Sequence, residues 1–121
     1  MKNETEKLVK EFAKDFYTQM GWGEMPVSRF VICNTEQWCG YCFSTDFRIF
    51  VWISSNEEIN KNPKMFWHTV AHELAHVRLS QIMRGPKAIH KAFGHGKEFK
   101  NVCKEIVEKS EGHFTYKGLM R

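Results

Sequence analysis

The sequence of 121 residues lacks several features that would assign a chain to a class at once. It has no run of about 18 apolar residues, which excludes a membrane-spanning helix. It also lacks internal repeats, linkers and low-complexity segments. Residues 1–6 are acidic and polar, whereas a signal peptide is basic and then apolar. We therefore expect a single domain over residues 1–121 that is monomeric, cytoplasmic and without a membrane partner.

The sequence also lacks a recognisable cysteine framework. Its four cysteines are Cys33, Cys39, Cys42 and Cys103. Cys39 and Cys42 form a lone CxxC without a second pair, and cytosolic thiols stay reduced. We expect free thiols, and the alternative is a second, structural zinc ion held by all four. A redox pair is less favoured because no helix is indicated after the CxxC.

The most informative segment present is His72-Glu73-Leu74-Ala75-His76. Its spacing puts two imidazoles one turn apart on one helix face, where both can bind a single Zn²⁺, and Glu73 beside the metal can accept a proton from bound water. Asn62-Pro63 is a helix start and Arg84-Gly85-Pro86 a stop, so we predict one helix over residues 63–84. The alternative, two satisfied core histidines, leaves the glutamate unexplained.

A catalytic zinc site needs a third protein ligand and an open fourth position. The candidates are His68, His90, His95 and His113 or, as in gluzincins, Glu98, Glu105 or Glu108. His95 lies between two glycines that allow a tight turn, directly before a predicted helix. His68 precedes His72 by four residues and could extend the site or bond a ligand's second nitrogen, although we expect it to be helix surface or core.

The two segments HELAH and GHGKEF together resemble the pattern HExxH…HGxxF of the SprT-like zinc metallopeptidases. Trp38-Cys39-Gly40-Tyr41-Cys42 and the strand that follows are similar to that family's turn and strand before the active helix, so the resemblance covers about residues 25–110. It implies His72, His76 and His95 as zinc ligands and Glu73 as catalytic base. It also implies a protein or peptide substrate, which is attached to DNA for the eukaryotic members. Many members carry a C-terminal cysteine-rich zinc ribbon, and this chain ends without one.

The charge is unevenly distributed. Residues 1–83 hold 9 basic and 10 acidic side chains, a balance of −1, and residues 84–121 hold 9 basic and 4 acidic, a balance of +5. The basic excess begins with Arg84, Lys87, Lys91, Lys97 and Lys100. This surface could attract DNA or an acidic protein, although an ordinary solvated face explains the charge equally well.

Hydrophobic periodicity predicts an α+β fold, and the order of its elements resembles that of a minimal zincin. It consists of an N-terminal helix (4–20), a small three-stranded antiparallel sheet (27–33, 37–44, 47–54), the active-site helix, a loop (85–96), a C-terminal helix (97–110) and a short tail. In zincins the strand before the active helix lies along the cleft and can pair with an extended substrate, so the resemblance implies this role for 47–54, although plain core explains its apolar run equally well.

These patterns predict a zinc-dependent metalloendopeptidase with one catalytic Zn²⁺. The alternative is a non-enzymatic, zinc-stabilised module that binds nucleic acid or protein; such a closed site would need a fourth protein ligand and no Glu73. Tyr116, His113 and Tyr41 are the candidates for stabilising the oxyanion.

Overall fold

The computed structural model describes residues 2–44, 48–83 and 92–120. Within them lie four helices and three strands, which confirms the α+β class. The helices are α1 (Lys2–Met20), α2 (Pro63–Ile82), α3 (Lys97–Lys109) and α4 (Tyr116–Met120), and the strands are β1 (Arg29–Cys33), β2 (Gly40–Ser44) and β3 (Ile49–Ser54). No helix in these ranges is long and apolar enough to cross a membrane.

The sheet is mixed, so the prediction of an antiparallel sheet was wrong. Its strand order is β1-β3-β2, with β1 parallel to β3 and β2 antiparallel to β3. The connection 34–39 crosses the C-terminal end of β3, where the Ser54 amide donates to Cys39 O (2.8 Å) and the Ser55 amide to Cys33 O (3.0 Å). Two strand spacings are about 10 Å, a distance that six residues span easily. The chain can therefore reach the far edge before the β2–β3 hairpin returns it to the centre.

This order also corrects the expectation for the substrate strand. β3, the described part of the predicted strand 47–54, is the central strand and is hydrogen-bonded on both sides. Neither edge of β3 is therefore available for backbone pairing with a peptide. The free edge beside the hairpin belongs to β2, because no other described element pairs with that strand.

The inner face of the sheet packs on the helices. Phe30, Ile32, Val51 and Ile53 alternate along β1 and β3 and are at most 4 % exposed, as period-two burial requires. Helix α1 lies against β1, where the Glu6 carboxylate accepts a hydrogen bond from the Ile32 amide (3.0 Å). The core is thus a sheet covered on one face, with α2 running through the middle.

Helix α2 begins where the sequence predicts. The side chain of Asn62 accepts a hydrogen bond from the Met65 amide (2.9 Å), and Pro63 occupies the first turn. The helix ends at Ile82 rather than at Arg84, and the predicted stop at 84–86 lies outside the described residues. Buried side chains occur all round α2, as expected for a helix enclosed by a sheet and other helices.

Helix α4 was not predicted, because a segment this short has no clear periodicity. Leu119 is fully buried, and the side chain of Thr115 caps the helix by accepting from the Gly118 amide (3.0 Å). A five-residue helix is not stable alone, so its conformation depends on packing against α2 and α3.

Candidate metal centre

Three imidazoles converge at one point of the structure. The Nε2 atom of His95 lies 3.2 Å from that of His72 and 3.3 Å from that of His76. In the described ranges these residues form the one group of three or more metal-ligating side chains whose ligand atoms all lie within 4.8 Å of one another. The structure therefore brings together the three residues that the sequence predicts as ligands.

Two elements position these side chains. His72 and His76 lie one turn apart on α2, which is held in the core, so their spacing is fixed by the helix. His95 lies just before Gly96, the N-cap residue of α3. The third imidazole thus lies directly before α3, a helix that packs against α2.

Backbone carbonyls determine the tautomer of the two helical histidines. Nδ1 of His72 contacts Leu119 O (2.5 Å), and Nδ1 of His76 contacts Ala92 O (2.8 Å). A carbonyl oxygen can only accept, so each Nδ1 carries the proton. In the neutral rings Nε2 is then unprotonated, and its lone pair points toward the other two imidazoles.

This donor set fits a zinc ion. Nitrogen ligands at about 2.0–2.1 Å from a tetrahedral zinc are separated by about 3.3 Å, close to the separations observed here. Burial, assisted by the neighbouring histidines, lowers the pKa of His76 to about 4, although its bond to Ala92 O acts in the opposite direction. His76 is therefore neutral at physiological pH, as a metal ligand must be.

Phe99 packs against all three imidazoles. Its ring centroid lies 4.2 Å from that of His76, 4.9 Å from that of His72 and 5.0 Å from that of His95. Phe99 is fully buried on α3. It fixes the ring orientations and keeps one side of the cluster dry, which gives the last residue of the HGxxF segment a physical role.

Glu73 lies beside the cluster in an apolar setting. One carboxylate oxygen is 4.0 Å from His72 Nε2, and the residue is 5 % exposed. Burial raises the pKa of Glu73 to about 8, opposed by a hydrogen bond from the Cys42 thiol. The pKa of Cys42 is itself raised, first by burial and then by the nearby carboxylate.

A cleft of about 150 Å³ opens onto the cluster. Its lining residues come from the start of β2, from α2, from the turn before α3 and from α4: Cys39, Gly40, Thr69, His72, Glu73, His95, Gly118 and Leu119. A Cβ on Gly40 would lie 3.0 Å from Thr69 Cγ2 and 3.3 Å from Glu73 Cγ. The absence of a side chain at Gly40 therefore lets β2 approach Glu73.

A larger cleft of about 460 Å³ lies elsewhere, between α1, α2 and the C-terminal segment. It is lined by Phe12, Gln19, Lys64, Trp67, His68, His113 and Phe114, none of which belongs to the histidine cluster. Size alone is therefore a poor guide here, and the smaller cleft is the one that carries the reactive groups.

The other candidate histidines take no place in the cluster. His68 is buried, with Nδ1 donating to Lys64 O (2.8 Å) and Nε2 accepting from the Thr115 amide (3.0 Å), so both nitrogens are satisfied. It bonds neither ring of the pair that follows it on α2. His113 lines the larger cleft, and His90 lies outside the described residues.

None of the three proposed oxyanion donors lines the smaller cleft, which opens onto the histidine cluster. Tyr41 stacks on Trp52 (centroids 5.7 Å, planes 6° apart) on the sheet face opposite to Gly40 and Cys42. Tyr116 is exposed at the start of α4, and His113 precedes that helix.

The alternative metal ligands also remain apart. Cys33, Cys39, Cys42 and Cys103 are not joined in disulfides, and the described residues contain no metal-ligating group built from them. Of the glutamates, Glu105 accepts from Trp22 Nε1 (3.1 Å) and Lys109 Nζ (2.7 Å) on another face of α3. Neither Glu98 nor Glu108 joins the histidine group.

The basic segment is described in part. Lys97 and Lys100 are exposed on the first turn of α3, next to His95. Arg84, Lys87 and Lys91 lie outside the described residues.

Sequence reasoning missed three groups that shape the site. The carbonyl oxygens of Leu119 and Ala92 have no side-chain signature, so no pattern points to them. Cys42 could have been found, since alternation along β2 puts Gly40 and Cys42 on one face, toward α2.

Comparison with family models, with curated proteins and with solved structures gives no match for this chain. The resemblance to the SprT-like family therefore stays a prediction, and the function is inferred from the geometry described above.

Proposed function

We propose that this protein is a zinc-dependent metalloendopeptidase with a zincin-like, SprT-like fold. The observation that carries the proposal is the position of Glu73, with its carboxylate 4.0 Å from His72 Nε2 and beside the three converging imidazoles. A site that serves structure alone needs no buried carboxylate at that place.

His72, His76 and His95 would hold the ion. A zinc ion with three protein ligands supplies a water of lowered pKa and a Lewis acid for the scissile carbonyl. His72 and His76 contribute neutral Nε2 donors because their Nδ1 protons are held by Leu119 O and Ala92 O. Phe99 excludes bulk water from the inner side of the cluster.

Glu73 would act as the general base and then as the general acid. It accepts a proton from the attacking water and delivers it to the leaving amine. Its pKa of about 8 is that of the chain alone, and a zinc ion held by the three imidazoles would favour the ionised form that can accept a proton. The Cys42 thiol, as a donor to the carboxylate, helps to hold it toward the cleft.

The substrate would be an extended polypeptide paired with the free edge of β2. Cys39 and Gly40, where this strand begins, line the cleft. Backbone pairing at an open edge binds a peptide with little regard to its sequence. This arrangement supports an endopeptidase that requires an unfolded segment.

The second candidate is the non-enzymatic zinc module. A closed structural site needs four protein ligands, whereas the described residues supply three to the group. Lys97 and Lys100 are exposed at the start of α3 and favour an anionic partner. We assign this preference to the substrates of the enzyme, and propose DNA-associated proteins as its targets.

The test is cleavage of a labelled unfolded polypeptide by the zinc-loaded protein, with and without single-stranded DNA. We expect cleavage by the unaltered protein and at least about a thousandfold loss in Glu73→Gln, as for removal of other central catalytic groups. Equal zinc content in both proteins is the control. Equal cleavage by both would refute the role of Glu73, and no cleavage by either would favour the binding module.

A further inference from the structure

The C-terminal segment, residues 115–120, contacts the zinc-binding helix at two points. Leu119 O accepts the Nδ1 proton of His72, and the Thr115 amide donates to Nε2 of His68. The segment contains α4 and its cap, and we call it the C-terminal latch. It thus bonds one ligand directly and also bonds the histidine one turn before that ligand.

His68 is the anchor of the latch. Its Nδ1 donates to Lys64 O within α2, which fixes the tautomer and leaves Nε2 as the acceptor for the Thr115 amide. The residue is 3 % exposed, and its ring also packs on Phe114 (centroids 5.0 Å apart). Because this buried imidazole makes a hydrogen bond at each ring nitrogen, it fixes the position of the latch along the axis of α2.

Gly118 allows the close approach of the latch. A Cβ at this position would overlap Cδ2 of the His68 ring and would lie 2.7 Å from its Nε2. The neighbouring residue supplies the carbonyl that holds His72, so any side chain at Gly118 displaces that carbonyl too. The glycine is therefore needed for the contact between the latch and the ligand.

We propose that the C-terminal latch tunes the metal affinity of the centre, with His68 and Gly118 as its positioning residues. The inference rests on the proposed zinc site. By accepting the Nδ1 proton, Leu119 O keeps the His72 lone pair on Nε2 and raises its basicity, as outer hydrogen-bond partners of metal-bound histidines do. The latch also forms one wall of the cleft through Gly118 and Leu119, so its docking shapes substrate access.

The coupling must work in both directions. If docking of the latch strengthens zinc binding, then zinc binding strengthens docking by the same factor. Because α4 is too short to persist alone, undocking of the latch should expose its amides to exchange with solvent. The Leu119 amide, which donates to Thr115 O (3.0 Å), reports on this state.

The first test is zinc affinity, measured by competition with a chromophoric chelator. We expect Gly118→Ala to weaken binding about tenfold to a hundredfold. Lys117→Ala, which alters an exposed side chain of the same helix, should leave the affinity unchanged. Affinity within twofold of the unaltered protein in Gly118→Ala would overturn the latch while leaving the zinc site intact.

The second test needs no change in the latch. Hydrogen exchange at the Leu119 amide should slow on addition of zinc to the unaltered protein and should not change in His95→Ala. If the unaltered protein binds zinc but this amide exchanges at the same rate, the coupling is absent. If the unaltered protein binds no zinc, the proposed function fails first and the inference falls with it.

Discussion

At the scale of single residues, burial and hydrogen bonds decide which form each reactive group takes. Burial lowers the pKa of His76 to about 4 and raises that of Glu73 to about 8. His76 is thereby kept neutral, as a metal ligand must be, and Glu73 in the chain alone stays largely protonated near neutral pH. A bound cation would favour the ionised form of Glu73. Without one, ionising this buried carboxyl lowers the free energy of unfolding.

A first prediction concerns the stability of the zinc-free protein. The pKa of Glu73 is higher in the folded chain than its ordinary value of 4.5, so its stabilising contribution is present below about pH 4.5 and is lost as the pH rises through 8. Glu73→Gln removes this dependence. We expect the variant to be more stable at pH 9 by roughly 5 kcal/mol and nearly equal at pH 4.

The measurement is urea unfolding of both zinc-free proteins across that pH range. A difference that does not change with pH would show that Glu73 titrates normally in the folded state. A variant that is less stable at pH 9 would reverse the sign of the expected effect.

A second prediction concerns Phe99, which touches all three imidazoles. Phe99→Leu keeps an apolar side chain but loses the flat ring that orients the ligands. We expect zinc affinity to fall about tenfold. Phe30→Leu is the matched control, because Phe30 is equally buried and lies on β1, which packs on β3 and α1 rather than on α2 or α3. Equal affinities in the two variants would remove the orienting role from Phe99.

At the scale of elements, the sequence predicts the helices better than it predicts the sheet. Asn62-Pro63 and the glycines beside His95 are local signals, and local signals decide where a helix begins. Strand order depends on where the chain crosses, and the crossing at 34–39 has no distinctive composition. The parallel pairing of β1 with β3, and hence the free edge at β2, could not be predicted from period-two patterns.

A third prediction tests the N-terminal cap of α2. Asn62→Ala leaves the Met65 amide without its side-chain acceptor. We expect a loss of about 1 kcal/mol in the free energy of unfolding and a midpoint about 4 °C lower in a thermal scan. Asn101→Ala, on an exposed position inside α3, should leave the midpoint unchanged or slightly higher. A fall of the same size in the thermal midpoint of both variants would show that the hydrogen bond of the cap does not stabilise the fold.

At the scale of the whole molecule, the proposed centre joins parts of the chain that are distant in sequence. His72 and His76 come from α2, His95 from the start of α3, and the carbonyl that holds His72 from α4. The four reactive side chains could be found from sequence because HExxH and HGxxF are patterns of side chains. Backbone acceptors could not, since only the packed structure decides which carbonyl faces which ring.

The proposed zinc ion would tie α2 to the turn before α3, so ligand loss should be visible in the intact protein. The most direct measurement is zinc content per chain after dialysis of the unaltered protein, Glu73→Gln, Glu98→Ala and His95→Ala. We expect one zinc ion per chain in the first three and loss of zinc in His95→Ala. Full retention by His95→Ala, or loss in Glu98→Ala, would contradict a centre built from three histidines.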